Sequence, residues 1–234
     1  MGHPASRRLL IFAVAADKTF CNLSPAVVEA LEQEAVTTTY PTGAVLFAEG
    51  QAARGVFIVR RGRVKLSICG SDGRTLILRM VEAGDPLGVA AVVSGRPYEA
   101  TAETQEPSEI SFLRQCDLVR LMRAHGELAL WVTQHISADY ASTCREIRDL
   151  ILSDSASEKL ARLMVGWLDQ NATAKNPSHV KLALTHQEIG QMIGTSRETV
   201  SRLFAGFKKQ RLIQQTGATL FIPSRVALES LITA

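Results

Sequence analysis

Short apolar runs separated by glycine-containing turns dominate the first half of the chain. Four of them span residues 45–47, 56–59, 64–68 and 76–78. Asp72-Gly73, between the last two runs, is a strong β-hairpin signal. Two further strands are predicted near 100–104 and 109–113, and a helix that begins at Ser24-Pro25 is predicted ahead of all the strands. Short strands at this spacing favour a β-sandwich or a barrel-like roll.

The periodicity then changes to that of a long helix. Residues 127–153 contain neither glycine nor proline, and at about 1.5 Å per residue a helix of this length is roughly 40 Å long. A narrow seam recurs at spacings of three and four, as in a coiled coil. Its members are Val132, Ile136, Tyr140, Thr143, Ile147 and Leu150. The seam favours a dimerisation helix; the alternative is a helix that lies on its own β domain. Residues 154–157 break the pattern and predict a hinge.

A helix-turn-helix is predicted near the C-terminus. Thr185-His186-Gln187-Glu188 has the form of a capping box and opens a short amphipathic helix. Gly194 supplies a turn, and the run from Ser196 caps a second helix that extends to about Lys209. Residues 212–215 and 218–222 then form a hairpin, which would be a wing.

Charge supports a nucleic-acid partner for this second part. Residues 155–234 hold ten Lys and Arg against five Asp and Glu, whereas residues 1–154 hold sixteen against eighteen. Four polar residues near the start of the second helix are predicted to contact base edges: Arg197, Glu198, Ser201 and Arg202. Five others are predicted to contact phosphates: Thr185, Ser196, Thr199, Lys208 and Lys209. The alternative is a solvated helix with a Glu198–Arg202 pair.

Composition, motifs and cysteine spacing argue against several classes of protein and of site. The chain is 46% hydrophobic and 21% charged, has no apolar run long enough to span a membrane, and has no catalytic triad, phosphate loop or metal-spaced cluster. We therefore expect neither an enzyme nor a metal site. Four scattered cysteines fit a reducing compartment, and the cytoplasm is the expected location. Arg7-Arg8 and the apolar residues 9–16 resemble a weak secretory signal, but a segment that packs on the first domain is preferred.

These motifs resemble one family over nearly the whole chain. The runs Gln187-Glu188-Ile189-Gly190 and 196–203 resemble the helix-turn-helix signature of the CRP/FNR family of bacterial transcription regulators. The spacing of Gly43, Glu49-Gly50, Gly62, Asp72-Gly73 and Gly84-Asp85 is similar to that family's β-roll. The resemblance implies an α+β fold with a cyclic-nucleotide-binding-like β-roll (1–126), a central dimerisation helix and hinge (127–154), and a winged helix-turn-helix (155–234).

The same resemblance implies a function. A homodimer would bind a near-palindromic, TGTGA-like site on double-stranded DNA and would work with RNA polymerase. The rival is a regulatory module of an enzyme or channel that is built on the same roll and has no sequence-specific DNA binding.

The effector does not follow from the resemblance. Family members that bind cAMP hold its phosphate with a Gly-Glu and an Arg-Ser pair, which here read Gly88-Val89 and Glu99-Ala100, and the adenine positions read Cys144-Arg145. A cAMP effector is therefore not expected, unless a shifted register brings in Arg96. An iron–sulfur cluster is not expected either, because Cys21 is the lone N-terminal cysteine. Haem, a thiol sensor at Cys144 and an unknown small-molecule, gas or redox signal stay open. The haem ligands would come from Cys69, Cys116, His125 and His135.

Overall fold

The computed structural model describes residues 23–152, 155–170, 178–182 and 184–232. These residues form two compact units, with the division between Tyr140 and Ala141. We call them the N-terminal and C-terminal units. The segment 7–16 and Cys21 lie outside the described residues. None of the helices in the described ranges is both long and apolar enough to cross a membrane.

In its described residues, the N-terminal unit contains eight strands, three complete helices and the first part of a fourth helix. The strands are β1 Val36–Tyr40, β2 Val45–Phe47, β3 Gly55–Arg61, β4 Val64–Cys69, β5 Thr75–Val81, β6 Pro86–Leu87, β7 Thr101–Thr104 and β8 Ser108–Arg114. The helices are α1 Pro25–Glu34, α2 Val89–Ser94, α3 Gln115–Ala124 and α4 Gly126–Leu152. The predicted strands and the early helix are confirmed, while β1, β6, α2 and α3 were not predicted.

Two four-stranded antiparallel sheets make up the β-roll. One has the strand order β1-β8-β3-β6 and the other β2-β7-β4-β5. The alternation along β3 shows how the layers are filled, because successive side chains point to opposite faces. Phe57 and Val59 belong to the core between the sheets, whereas Val56 and Ile58 belong to the core under the helices. Strand β3 is therefore buried on both faces, which explains its continuous apolar sequence.

The hairpin predicted at Asp72-Gly73 joins β4 to β5. Its loop is longer than a two-residue turn: the Gly70 backbone N–H donates to the Arg74 carbonyl at 2.8 Å. The Asp72 carboxylate accepts a hydrogen bond from the Arg74 backbone N–H at 3.0 Å. This bond and the Arg74 side chain hold the pKa of Asp72 below its usual value.

The long helix α4 has two different environments along its length. Leu128 and Val132 are each 1% exposed and belong to the core under the helices, and Ile136 packs against the same core. Placing Val132 at the dimer interface is therefore wrong, because its side chain is already covered by its own β-roll. Further along, Tyr140 is 72% and Ile147 is 49% exposed. The division between the two compact units falls inside this helix.

The C-terminal unit is a helical domain with a small sheet. Its helices are α5 Ala156–Gln170, α6 His186–Ile193, α7 Arg197–Lys209 and α8 Arg225–Glu229. Strands β9 His179–Lys181, β10 Gln214–Thr216 and β11 Thr219–Phe221 form an antiparallel sheet in the order β10-β11-β9. The predicted wing is confirmed as the hairpin β10–β11, and β9 is an additional strand. The core of the C-terminal unit is built on apolar side chains from α5, α6 and α7, with Met164, Ile189 and Val200 fully buried.

Candidate nucleic-acid interface

The start of α6 is fixed by the predicted capping box. The Thr185 Oγ1 accepts a hydrogen bond from the Glu188 backbone N–H at 3.2 Å. The Glu188 Oε2 accepts in return from the Thr185 backbone N–H at 2.7 Å and from the Thr185 hydroxyl at 2.8 Å. These bonds satisfy backbone donors that a helix start otherwise leaves unpaired.

Two glycines shape the turn between α6 and α7. Gly194 has a φ of +68° and ends α6 in the left-handed conformation, which favours glycine. At Gly190 the turn comes back against the helix, and an added Cβ would lie 2.7 Å from the Thr195 carbonyl oxygen. The Thr195 backbone N–H donates to the Gly190 carbonyl at 2.8 Å. The close approach therefore requires a residue without a side chain at position 190.

Helix α7 presents a polar stripe to solvent. Its apolar side chains Val200, Phe204 and Phe207 are buried, and the Ser196 hydroxyl caps it by accepting from the Thr199 backbone N–H at 3.2 Å. The exposed positions follow the helical repeat on the opposite side. They are Arg197, Glu198, Ser201, Arg202, Ala205, Lys208 and Lys209. The four residues predicted to contact bases thus lie together on the exposed face of the N-terminal half of α7.

Two charged side chains of this stripe have defined local contacts. The Glu198 backbone N–H and the Ser196 side chain lower the pKa of the Glu198 carboxyl, so it is ionised. Arg202 Nη2 lies 3.4 Å from Thr199 Oγ1. Among the described side chains, no ion pair joins Glu198 to Arg202, in contrast to what the solvated-helix alternative requires.

Two contacts that sequence patterns did not reveal stabilise α7. The His186 ring on α6 lies 2.9 Å through Nδ1 from Ser201 Oγ, and its centroid is 4.6 Å from that of Phe204. At the other end of α7, Lys208 Nζ donates to Gln215 Oε1 at 2.8 Å and so connects the helix to the wing. The sequence places His186 within the capping box, but it does not show that the ring contacts Ser201, fifteen residues further along the chain.

Comparison with known proteins assigns this architecture. Residues 37–125 match the cyclic nucleotide-binding domain, and residues 158–231 match the Crp-like helix-turn-helix domain. The cAMP-activated global transcriptional regulator CRP of Haemophilus influenzae is 28% identical over 184 residues, which cover 78% of this chain and 82% of that protein. The chain belongs to the CRP/FNR family of bacterial transcription regulators.

Two further relatives extend the comparison. The global nitrogen regulator of Synechocystis is 27% identical over 202 residues, which cover 85% of this chain and 89% of that protein. The structure of FixK2 from Bradyrhizobium japonicum matches with a TM-score of 0.75 at 21% identity, and the match covers 86% of this chain and 98% of that chain. At this identity the structural match shows that the fold is shared. The two matching family models, together with these relatives, make the chain a DNA-binding transcription regulator of the CRP/FNR type.

The residues that the resemblance placed at the nucleotide-phosphate positions lie at the start of α2 and after its end. Gly88 precedes α2, and the Val89 side chain is 5% exposed within the core under the helices. Arg96 and Glu99 are both exposed, and Ala100 is buried. Glu99 therefore places a carboxylate at the surface next to the buried Ala100. Cys144 is exposed and lies in the other compact unit, as does Arg145, whose side chain is outside the described ones.

Tyr98 anchors the segment that carries Glu99. It is 3% exposed, and its hydroxyl donates to the Gly55 carbonyl at 2.6 Å and accepts from the Gly55 backbone N–H at 3.3 Å. Its ring stacks on Phe47 with a centroid distance of 4.0 Å. Burial raises the pKa of the Tyr98 hydroxyl, so it stays protonated and remains a donor. The buried side chain of Tyr98 thus fixes the backbone next to Glu99.

A charged cluster links α4 to the roll within the N-terminal unit. Arg79 on β5 donates to Asp139 Oδ1 on α4 at 2.9 Å, and His135 Nε2 lies 3.4 Å from Asp139 Oδ2. The His135 ring stacks on Trp131 at 5.5 Å. Burial lowers the pKa of His135. The main bond of this cluster joins Arg79 and Asp139, which are 60 positions apart. The sequence pattern therefore did not predict it.

The residues named for haem or thiol chemistry are scattered. Cys69, Cys116 and Cys144 are free and exposed. Within the described ranges, no three His, Cys, Asp or Glu side chains are grouped so that they could hold a metal ion. Haem binding and thiol sensing therefore stay hypotheses, and the positions of these residues do not support either.

Proposed function

We propose that this chain is a homodimeric transcription regulator that binds a near-palindromic site with TGTGA-like half-sites. The observation that carries the proposal is the exposed stripe of α7, whose N-terminal half presents Arg197, Glu198, Ser201 and Arg202. In helix-turn-helix proteins this end of the second helix enters the major groove.

The side chains of the stripe suit the bases of such a half-site. An Arg guanidinium can donate to both O6 and N7 of guanine, and an ionised Glu can accept from the N4 amino group of cytosine. Arg197 and Arg202 supply the first kind of contact, and Glu198, whose pKa is lowered, supplies the second. A single stripe can therefore read neighbouring G·C pairs on both strands.

Phosphate contacts would come chiefly from the cations at the end of α7. Lys208 is oriented by Gln215 of the wing, and Lys209 is exposed. The Thr185 hydroxyl, in contrast, gives its one proton to Glu188, and a phosphate oxygen is an acceptor only. Thr185, Ser196 and Thr199 would thus act mainly by fixing the helix starts near the backbone of the DNA.

The second part of α4 is the proposed dimer contact. Tyr140, Thr143 and Ile147 are exposed, and Leu150 continues the same seam. Two copies related by a two-fold axis would place their α7 helices about 34 Å apart, one turn of DNA. This spacing explains a near-palindromic site, and RNA polymerase is the expected further partner in the cytoplasm.

The proposed effector is not cAMP. Glu99 is an exposed carboxylate at the phosphate position, and Val89 offers no hydrogen bond. Like charges about 4 Å apart repel by roughly 4 kcal/mol at an effective dielectric near 20. The remaining possibilities are a redox, gas or other small-molecule signal, or DNA binding without an effector.

The test is selection from random duplex DNA by the full chain and two variants. Arg197→Ala should weaken the selected site by about 1–3 kcal/mol and relax the preference at one guanine in each half-site. Lys209→Ala is the matched control: it should weaken all sequences alike and reduce the salt dependence by about one phosphate contact per half-site.

Two outcomes would contradict the proposal. If the Arg197→Ala variant returned the parental motif unchanged, α7 would not read the DNA as proposed. If the parental chain selected no motif at any salt concentration, the rival interpretation as a regulatory module without sequence-specific binding would stand.

A further inference from the structure

His186 occupies an unusual place within the helix-turn-helix. It is the first residue of α6, and its ring lies against α7, where Nδ1 is 2.9 Å from Ser201 Oγ and the ring packs on Phe204. Ser201 is one of the residues proposed to face the bases. A titratable ring is therefore in direct contact with the DNA-reading helix.

The hydrogen bonds assign the proton on this ring. The Ser201 hydroxyl has a single proton and donates it to the Arg197 carbonyl at 3.0 Å. With the hydroxyl proton on that bond, Ser201 Oγ would accept from His186, an arrangement that favours the neutral tautomer with its proton on Nδ1. The other nitrogen, Nε2, holds the lone pair and is the atom that titrates. Protonation would turn Nε2 from an acceptor into a charged donor.

The charges around the ring come mainly from α7. Burial lowers the pKa of His186, and the positive charges of Lys208 and Arg197 lower it further. The nearby carboxylate on its own helix, Glu188, is bonded to Thr185. On the packed helix α5, Glu158 pairs with Arg162 and Asp169 pairs with Arg225, and the remaining charged residue is Lys159. In the free protein the ring is thus neutral at pH 7.

DNA would reverse this balance. Lys208 and Arg197 are both proposed to meet DNA, whose phosphates bring one negative charge per roughly 1.7 Å of duplex axis. The negative potential of the duplex would offset both positive charges, through phosphate at Lys208 and guanine at Arg197, and would attract a charged imidazolium directly.

We propose that His186 takes up a proton at Nε2 when DNA binds and becomes a charged contact to the DNA backbone, so that DNA affinity rises as the pH falls. The inference rests on the proposed function, since it assumes that α7 faces DNA. By linkage, the affinity changes with pH only between the titration points of the free and the bound ring. Within that window it can change by up to about tenfold per pH unit for each half-site.

The experiment measures the dissociation constant of the full chain for its selected duplex between pH 5.5 and 8.5 at constant ionic strength. His186→Gln keeps a polar side chain without a titrating nitrogen and should lose this pH dependence, with an affinity near that of the parental chain at high pH. His186→Arg should keep high affinity at all pH values. His179→Gln, on strand β9 of the same unit, is the control and should titrate like the parental chain.

A second measurement counts the protons directly. Calorimetric titration of the duplex in buffers of different ionisation enthalpy should show close to one proton taken up per half-site within the window, and His186→Gln should lose that uptake. Equal pH dependence and equal uptake in the parental chain and His186→Gln would overturn the inference while leaving the proposed function intact. Absence of specific DNA binding by the parental chain at every pH would overturn both.

Discussion

Replacing Gly190 by alanine should destabilise the C-terminal unit through one atom. The new Cβ would lie 2.7 Å from the Thr195 carbonyl oxygen, 3.3 Å from the Ser196 carbonyl carbon and 3.5 Å from the Arg197 nitrogen. All three atoms belong to the backbone of the turn, so no side chain can rotate away. The turn itself would have to move, and with it the start of α7.

The structure sets the size of the effect. A carbon and a carbonyl oxygen rest at about 3.3 Å or more, so the gap must open by roughly 0.6 Å from its 2.7 Å. Overpacking of this kind costs about 1–3 kcal/mol. Alanine also favours the helix over glycine by up to about 1 kcal/mol, which offsets part of the cost. We expect the free energy of unfolding of the C-terminal unit to fall by about 1–2 kcal/mol.

Gly166 provides the matched control. It also lies inside a helix, α5, but an added Cβ would meet nothing within 4 Å. Gly166→Ala should therefore raise the free energy of unfolding by about 0.5–1 kcal/mol. Comparing the two variants separates the steric contact from the general effect of alanine in a helix.

Hydrogen exchange read by mass spectrometry is the suitable assay, because a chain with two units need not unfold in one step. Peptides from the helix-turn-helix should exchange about 5- to 30-fold faster in Gly190→Ala, peptides from the N-terminal unit should be unchanged, and DNA affinity should fall. Equal protection of the helix-turn-helix in Gly190→Ala and the parental chain would refute the reasoning.

Three further outcomes are expected. Ile147→Asp places a carboxylate on the exposed seam of α4 and should yield monomers in sedimentation with an intact N-terminal unit; an undiminished dimer would reject the seam. Calorimetric titration with cAMP and cGMP should show no micromolar binding and no change in DNA affinity, whereas binding that tightens DNA affinity would contradict the assignment at Glu99. Because burial lowers the pKa of His135, the unfolded state binds more protons, so the stability of the N-terminal unit should fall as the pH drops below about 6.5. Denaturant unfolding at pH 7.5 and 5.5 should show this loss, and His135→Gln should reduce it; an identical loss in both would contradict it.

Much of the fold was predictable because its signals are local. The cap at Thr185 and the apolar spacing of α7 involve residues within four positions of each other, and both helices begin where these signals place them. The long helix was predicted over 127–153 and spans Gly126–Leu152, since a run without glycine or proline and with one periodicity has few alternatives. The exposed polar stripe of α7 follows from the same periodicity.

The partner of each face was not predictable from the sequence. The seam of α4 defines one side of a helix, but periodicity cannot say what covers that side, and the tertiary structure places Val132 against its own roll. Strand β9 was not predicted, because its three residues are stabilised by pairing with β11, some forty positions away along the chain.

The contacts that tune the interface likewise depend on packing between distant segments. The helix-turn-helix, its caps and its exposed stripe follow from the sequence alone, because hydrogen bonds and side-chain repeats within one turn of helix decide them. Only the tertiary structure joined His186 to Ser201 and Lys208 to Gln215. The distance between two side chains on different elements is set by how those elements pack, and no spacing along the chain records it.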